Sequence, residues 1–230
     1  LSSRCAILPS CGRAVARALC SCCAAAALRG FKRTSPYVTT VRRVYGVSHG
    51  STPDRLPLDL YVGIDCSGSM TNPSVGLSYP VLAGTVVALS ALRTGAQVMA
   101  CLSGEPGSFS ETTGFVRSER AILNTLTGYL GTGYAFGIAR LDATFLKTPV
   151  RPRPTHILIV SDQDIFSMLE KNGGWAVAQQ AVIRAGGGGT FVLEIDPDRY
   201  AGPVKRMREI GWDVYTVTSQ ADLPEFARAF

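Results

Sequence analysis

The sequence predicts an α/β fold: a doubly wound, mainly parallel central sheet with helices on both faces. Three observations lead there. From Pro57 onward, strand-like and helix-like segments alternate at the spacing of successive βαβ units. Leu58–Asp65 and His156–Val160 are continuous apolar runs without polar alternation, the pattern of strands buried on both faces. Finally, 230 residues with 46% hydrophobic and 17% charged side chains are enough for one substantial core, and no stretch of ~20 apolar residues could span a membrane.

The elements follow in order. Leu58–Asp65 is the first strand and ends on an acid. Tyr79–Arg93 carries Val, Leu and Ala at helical spacing and stops before Thr94-Gly95. Gln97–Leu102 reads as a second strand, and Phe109–Phe115, alternating Phe with Ser and Thr, as a third nearer an edge. Ser118 can cap a helix running to Leu130; after Gly131-Thr132-Gly133 a helix resumes over Tyr134–Leu146. His156–Val160 is the clearest central strand, followed by the acidic turn Ser161-Asp162-Gln163-Asp164 and a short helix, Ile165–Glu170. Helix Trp175–Ala185, a flexible stop at Gly186–Gly189, strand Thr190–Ile195, helix Gly202–Ile210, strand Asp213–Val217 and helix Ala221–Phe230 complete the series.

Charge divides the chain. Residues 1–53 hold eight basic groups and no acid, while residues 54–230 hold 15 basic and 17 acidic groups, so the leader carries +8 and the remainder −2 of the net +6. The near-neutral remainder gives no basic face for nucleic acid. Five of the seven cysteines crowd into the first 23 residues. An odd number so distributed does not read as an extracellular disulfide framework. Residues 1–53 are therefore expected to be a peripheral or poorly ordered leader. A helix over Arg13–Leu28, a targeting role and a zinc site on Cys20, Cys22 and Cys23 are alternative readings of the same segment. Residues 54–230 are expected to form the domain. Cys66 and Cys101, unpaired inside apolar runs, read as core residues, and with the lack of a secretory apolar region they point to the cytoplasm.

In doubly wound sheets the site lies beyond the carboxyl ends of the strands, where connections diverge to opposite faces. That selects Asp65-Cys66-Ser67-Gly68-Ser69 and Ser161-Asp162. A carboxylate and two hydroxyls at alternate positions present oxygens to one point if the loop curls, an arrangement suited to a hard dication. Thr132, held between two glycines, can add another hydroxyl. Singly, each of these residues is an ordinary turn or cap residue; Asp164 reads either as a further site acid or as the cap of Ile165–Glu170. Gly131-x-Gly133 lacks the spacing of a dinucleotide loop, and no Gly-x-Ser-x-Gly elbow occurs.

Asp65, Ser67 and Ser69, with Thr132 and Asp162 on later loops, resemble the D-x-S-x-S…T…D pattern of the metal-ion-dependent adhesion site (MIDAS) of von Willebrand factor A (VWA) domains. The resemblance runs from about Leu58 to Phe230, and Asp65-Cys66-Ser67 with YLGTGYAFGI looks most like bacterial intracellular VWA proteins that partner MoxR-type AAA+ ATPases. It implies a bound Mg2+, with Mn2+ or Ca2+ as alternatives, held directly by Ser67, Ser69 and often Thr132 and through water by Asp65 and Asp162. It also implies a coordination position open to an Asp or Glu of a protein partner. Gly133 and Gln163 stand where many relatives have Asp and Gly. The expected function is a Mg2+-dependent protein-interaction module rather than an enzyme, possible partners including an AAA+ ATPase. The alternatives are metal-assisted phosphoryl transfer with Asp65 as nucleophile, for which the second acid and a phosphate-binding lysine are missing, a chelatase-type subunit, and a Ro-type ribonucleoprotein.

Overall fold

A computed structural model describes residues 57–105 and 107–230. The helix, targeting and zinc readings of residues 1–53, and the boundary at 53/54, lie outside the described residues. Among the described residues, six strands, β1 (Asp59–Asp65), β2 (Val98–Glu105), β3 (Ser108–Glu111), β4 (Thr155–Asp162), β5 (Gly186–Glu194) and β6 (Asp213–Val217), form one sheet in the order β3-β2-β1-β4-β5-β6. All neighbours are parallel except β2 and β3. The helices are α1 (Tyr79–Arg93), α2 (Glu119–Leu126), α3 (Ala139–Leu141), α4 (Ile165–Glu170), α5 (Gly174–Ala185), α6 (Ala201–Glu209) and α7 (Leu223–Ala229). The doubly wound α/β expectation is met.

Every residue of β1 is buried, which is why its sequence shows no alternation. Its side chains point alternately into two cores. Tyr61 joins Met99, Ile157, Ile159, Phe191 and Trp212 under α4, α5 and α6, while Val62 and Ile64 join Leu158, Val160 and Val192 under α1, α2 and α7. Gly84 lets α1 lie directly on β1, since a Cβ there would stand 2.6 Å from Ile64 Cδ1. Among the described residues, no helix is long and apolar enough to cross a membrane.

Ser118 caps its helix as expected, but that helix stops at Leu126 rather than Leu130, and the strand expected over Phe109–Phe115 is Ser108–Glu111. Two further segments depart more deeply from the sequence reading. Tyr134–Leu146 is not one helix: Ala139–Leu141 is a single turn, followed by a π-helical turn at Asp142–Leu146. Its apolar residues satisfy the core without a helix, because Phe136 packs over Gly63, where a Cβ would meet its ring at 2.7 Å. The Gly137 amide donates instead to Ser103 Oγ at 3.2 Å. Gly186–Gly189, expected as a flexible stop, opens β5. Only Gly186, at φ 69°, is the helix stop. Gly187 and Gly189 are strand residues whose Cβ atoms would strike the Thr155 backbone at 2.5 Å and the Trp212 ring at 2.6 Å. Cys66 and Cys101 are buried free thiols, as expected. His156 is tied by both ring nitrogens, to Gly187 O at 2.9 Å and Thr190 Oγ1 at 3.0 Å, and burial lowers its pKa.

The first residue of β1 had no reading in the sequence. Asp59, 0% exposed, accepts from the Gln97 amide at 2.9 Å and pairs with Arg151 at 2.6 Å and Arg153 at 3.4 Å. Asp59→Asn leaves both guanidinium groups without their shared counter-charge. It is expected to lower the unfolding free energy by about 2–3 kcal/mol in urea denaturation.

Candidate functional site

The two strands whose carboxyl ends matter are neighbours. β1 connects through α1 to β2 on one side, and β4 connects through α5 to β5 on the other. The β1–β4 boundary is thus the point where the winding reverses. Asp65 ends β1, Asp162 ends β4, and the loop after β1 curls above them.

Four of the five expected residues are joined by a continuous hydrogen-bonded chain. Asp65 lies deepest, 1% exposed. Its Oδ1 accepts from the Ser67 amide at 2.8 Å and its Oδ2 from Ser161 Oγ at 2.6 Å. Ser67 Oγ and Ser69 Oγ are 2.9 Å apart, and Ser69 Oγ donates to Asp162 Oδ2 at 2.7 Å. Asp162 Oδ1 accepts from the Asp164 amide at 2.9 Å, which turns the chain into α4. The chain climbs from buried Asp65 to exposed Ser69 at the mouth.

Thr132 arrives by its backbone. It forms a parallel bridge with Ser67; its carbonyl accepts from the Gly68 amide at 2.7 Å, and Cys66 O accepts from the Gly131 amide at 3.1 Å. Cys66 Sγ accepts from the Leu130 amide at 3.0 Å. The Thr132 hydroxyl is not in the chain described above. It reaches the Tyr134 carbonyl at 3.4 Å and sits over Gly104 at the end of β2, where a Cβ would stand 1.8 Å from it. Asp164 stands at the N-cap position of α4, where its carbonyl accepts from the Ser167 amide at 3.0 Å and from Ser167 Oγ at 2.7 Å, but its side chain makes no cap hydrogen bond. Gln163 turns outward and accepts from Tyr200 Oη at 3.0 Å.

Ser161 and Gly104 were missed as site residues. Ser161 orients Asp65, and its adjacency to Asp162 at the end of an apolar strand was the available signal. Gly104 makes room for a threonine 28 positions later, and no local pattern reveals that. Beside the chain, Ser69 and Asp162 open onto a cleft of about 400 Å3 also lined by Gln163, Glu194, Asp196 and Gln220. The carboxylates there make the local potential negative.

The donors are oxygens alone: two carboxylates and three hydroxyls. Among the described residues, no three His, Cys, Asp or Glu side chains gather into a metal site of their own, so a cation at this place would depend on hydroxyls. Oxygens 2.7 and 2.9 Å apart match neighbouring corners of an octahedron with bonds of about 2.1 Å, the preference of Mg2+.

Burial pushes the Asp65 carboxyl up to about 6 against the opposing hydrogen bonds from Ser161 and Ser67, and nearby Asp162 adds to the rise. The native state therefore holds a proton that the unfolded chain, at 3.8, has lost. Its stabilisation is full below pH 3.8 and is lost as pH rises through 6. Without cation, the protein is expected to melt at a lower temperature at pH 7 than at pH 5, and Asp65→Asn to flatten that difference. Thermal scans of both proteins in EDTA check this.

No family model matches the chain, and no curated protein sequence matches it. Solved structures do share its fold. The VWA domain of SpRpn10 superposes with a TM-score of 0.50 at 10% identity, over 74% of this chain and 94% of that one. The pilus adhesin SpaC from Lactobacillus rhamnosus GG does so at 0.52 and 11% identity, over 77% and 30%. Proximal thread matrix protein 1 from the mussel byssus does so at 0.52 and 13% identity, over 76% and 46%. This chain thus spans less than half the length of the adhesin and of the byssus protein. Its fold is that of VWA domains.

Proposed function

We propose that residues 54–230 are a cation-dependent protein-interaction module of VWA type, in which Asp65, Ser67, Ser69, Thr132 and Asp162 hold Mg2+. The observation that carries this reading is the run of oxygens Ser67–Ser69–Asp162, 2.9 and 2.7 Å apart at the reversal point of the sheet. A bound dication would supply an electrophilic position for a carboxylate of a protein partner. The chain's own residues set up that position. Ser161 and the Ser67 amide fix Asp65; the Gly68–Thr132 backbone bond clamps two loops together; Asp162 orients Ser69.

Interaction rather than catalysis is favoured by the surroundings of Asp65. It is 1% exposed and both its oxygens already accept hydrogen bonds, which is unsuited to attack on a phosphate ester. No lysine or histidine belongs to the hydrogen-bonded chain. We assign the module to the cytoplasm on the strength of its reduced thiols, and a MoxR-type AAA+ ATPase is the first partner to test.

Fluorescence anisotropy of a short labelled glutamate-containing peptide tests the reading. Binding should require Mg2+, vanish in EDTA and in Asp162→Ala, and fail when the peptide glutamate is replaced by glutamine. Binding of the peptide and its glutamine form alike, with or without chelator, would overturn it.

A further inference from the structure

At the opposite end of the sheet from the candidate cation site, five of the seven buried side-chain nitrogen and oxygen atoms that lack a partner among the described residues belong to residues lining two adjoining cavities. The inner cavity, about 10 Å3, has room for one water-sized sphere. Thr144 Oγ1, Arg151 Nε, Thr155 Oγ1 and Arg184 Nε belong to residues of its wall, and all four atoms are buried without a partner among the described residues. Thr155 is only 1% exposed. The outer cleft, about 390 Å3, shares Thr144, Thr148, Pro149 and Arg151 with the inner cavity and adds Arg140, whose Nε is the fifth such atom.

Both guanidinium groups are held by their other nitrogens. Arg151 stacks 3.7 Å from the Phe115 ring centroid, and its Nη2 is held by Asp59 Oδ2 at 2.6 Å and Gln97 Oε1 at 3.1 Å. Arg184 Nη2 donates to Thr148 O at 2.9 Å. In each, the planar head is pinned through one nitrogen while the Nε–H stays buried. An arginine Nε–H can only donate, and a threonine hydroxyl can donate, so the ligand must accept. The charge around the cavity is also unbalanced. Asp59 serves both Arg151 and Arg153, and Arg184 pairs with no carboxylate among the described residues. A half-buried cation without a counter-charge favours an anion over a neutral acceptor.

We propose that this inner cavity is a binding site for a small monatomic anion of the chloride class, received by Arg151, Arg184, Thr144 and Thr155 and reached through the outer cleft. Bound there, it ties the π-helical turn and Pro149 to the start of β4 and the end of α5, and so stabilises the fold. This site is independent of the cation reading, and EDTA throughout keeps the two apart.

The test combines anomalous diffraction from crystals in sodium bromide with thermal melts in sodium chloride against sodium gluconate at equal ionic strength. A bromine peak within hydrogen-bonding reach of Thr155 Oγ1 and Arg184 Nε is expected, together with a higher, saturable melting temperature in chloride. Thr155→Val keeps the side-chain shape and should weaken the chloride response about tenfold. Arg184→Met, at a half-buried position, should do the same, so a folding failure in one variant leaves the other. A water in the cavity with no bromine peak, or equal melts in both salts, overturns the assignment. So does a chloride response unchanged in both variants.

Discussion

Gly104→Ala is expected to lower Mg2+ affinity about ten- to a hundredfold while leaving the fold intact. The new Cβ would stand 1.8 Å from Thr132 Oγ1 and 3.0 Å from its Cβ, but 3.3 Å from the nearest backbone atom, Cys66 O. What gives way is therefore the threonine hydroxyl, not the sheet. The effect is that of losing a ligand and disturbing the loop that carries it, for which a loss of this order is typical. Calorimetric titration of Mg2+ would read it, and an unchanged urea midpoint would show that β2 has not been disturbed. Retained affinity would mean that Thr132 takes no part in holding the cation.

Gly187→Ala is expected to give the largest loss of stability of any single methyl addition near the sheet, more than about 3 kcal/mol in urea denaturation. Its Cβ would meet Thr155 C, Thr155 O and His156 N at 2.5, 2.6 and 2.8 Å. All three are backbone atoms of β4, which cannot move without opening the β4–β5 ladder. Gly202→Ala, a helical position where a Cβ meets nothing within 4 Å, is the matched control and should be neutral or mildly stabilising.

The same glycines show where a sequence stops being readable. β1, α1 and the HILIV strand were legible because each carries its own signal: an unbroken apolar run or a helical stripe with a glycine stop. The candidate site was legible for a related reason. Asp65, Ser67 and Ser69 fall within five residues, and Asp162 ends the most apolar strand. The misread parts depend on partners distant in sequence. Gly187 and Gly189 looked like a flexible stop because their reason, the Thr155 backbone and the Trp212 ring, lies 32 and 23 positions away. Phe136 looked helical because nothing local says that it covers Gly63. Asp59 looked like one more polar residue until Arg151 and Arg153 were brought to it. Ser161 was in view beside Asp162, yet only the fold turns its hydroxyl to Asp65 across 96 residues.

The central claim is that Ser67, Ser69 and Asp162 converge to receive a cation, and calorimetric titration of Mg2+ into the protein, Ser67→Ala and Asp162→Ala tests it most directly. The account predicts saturable 1:1 uptake by the parent protein, lost in both variants with their folds retained. Uptake that persists undiminished in both, or none in the parent protein with an acidic peptide present, would contradict it and leave those oxygens as turn and cap residues of an α/β scaffold.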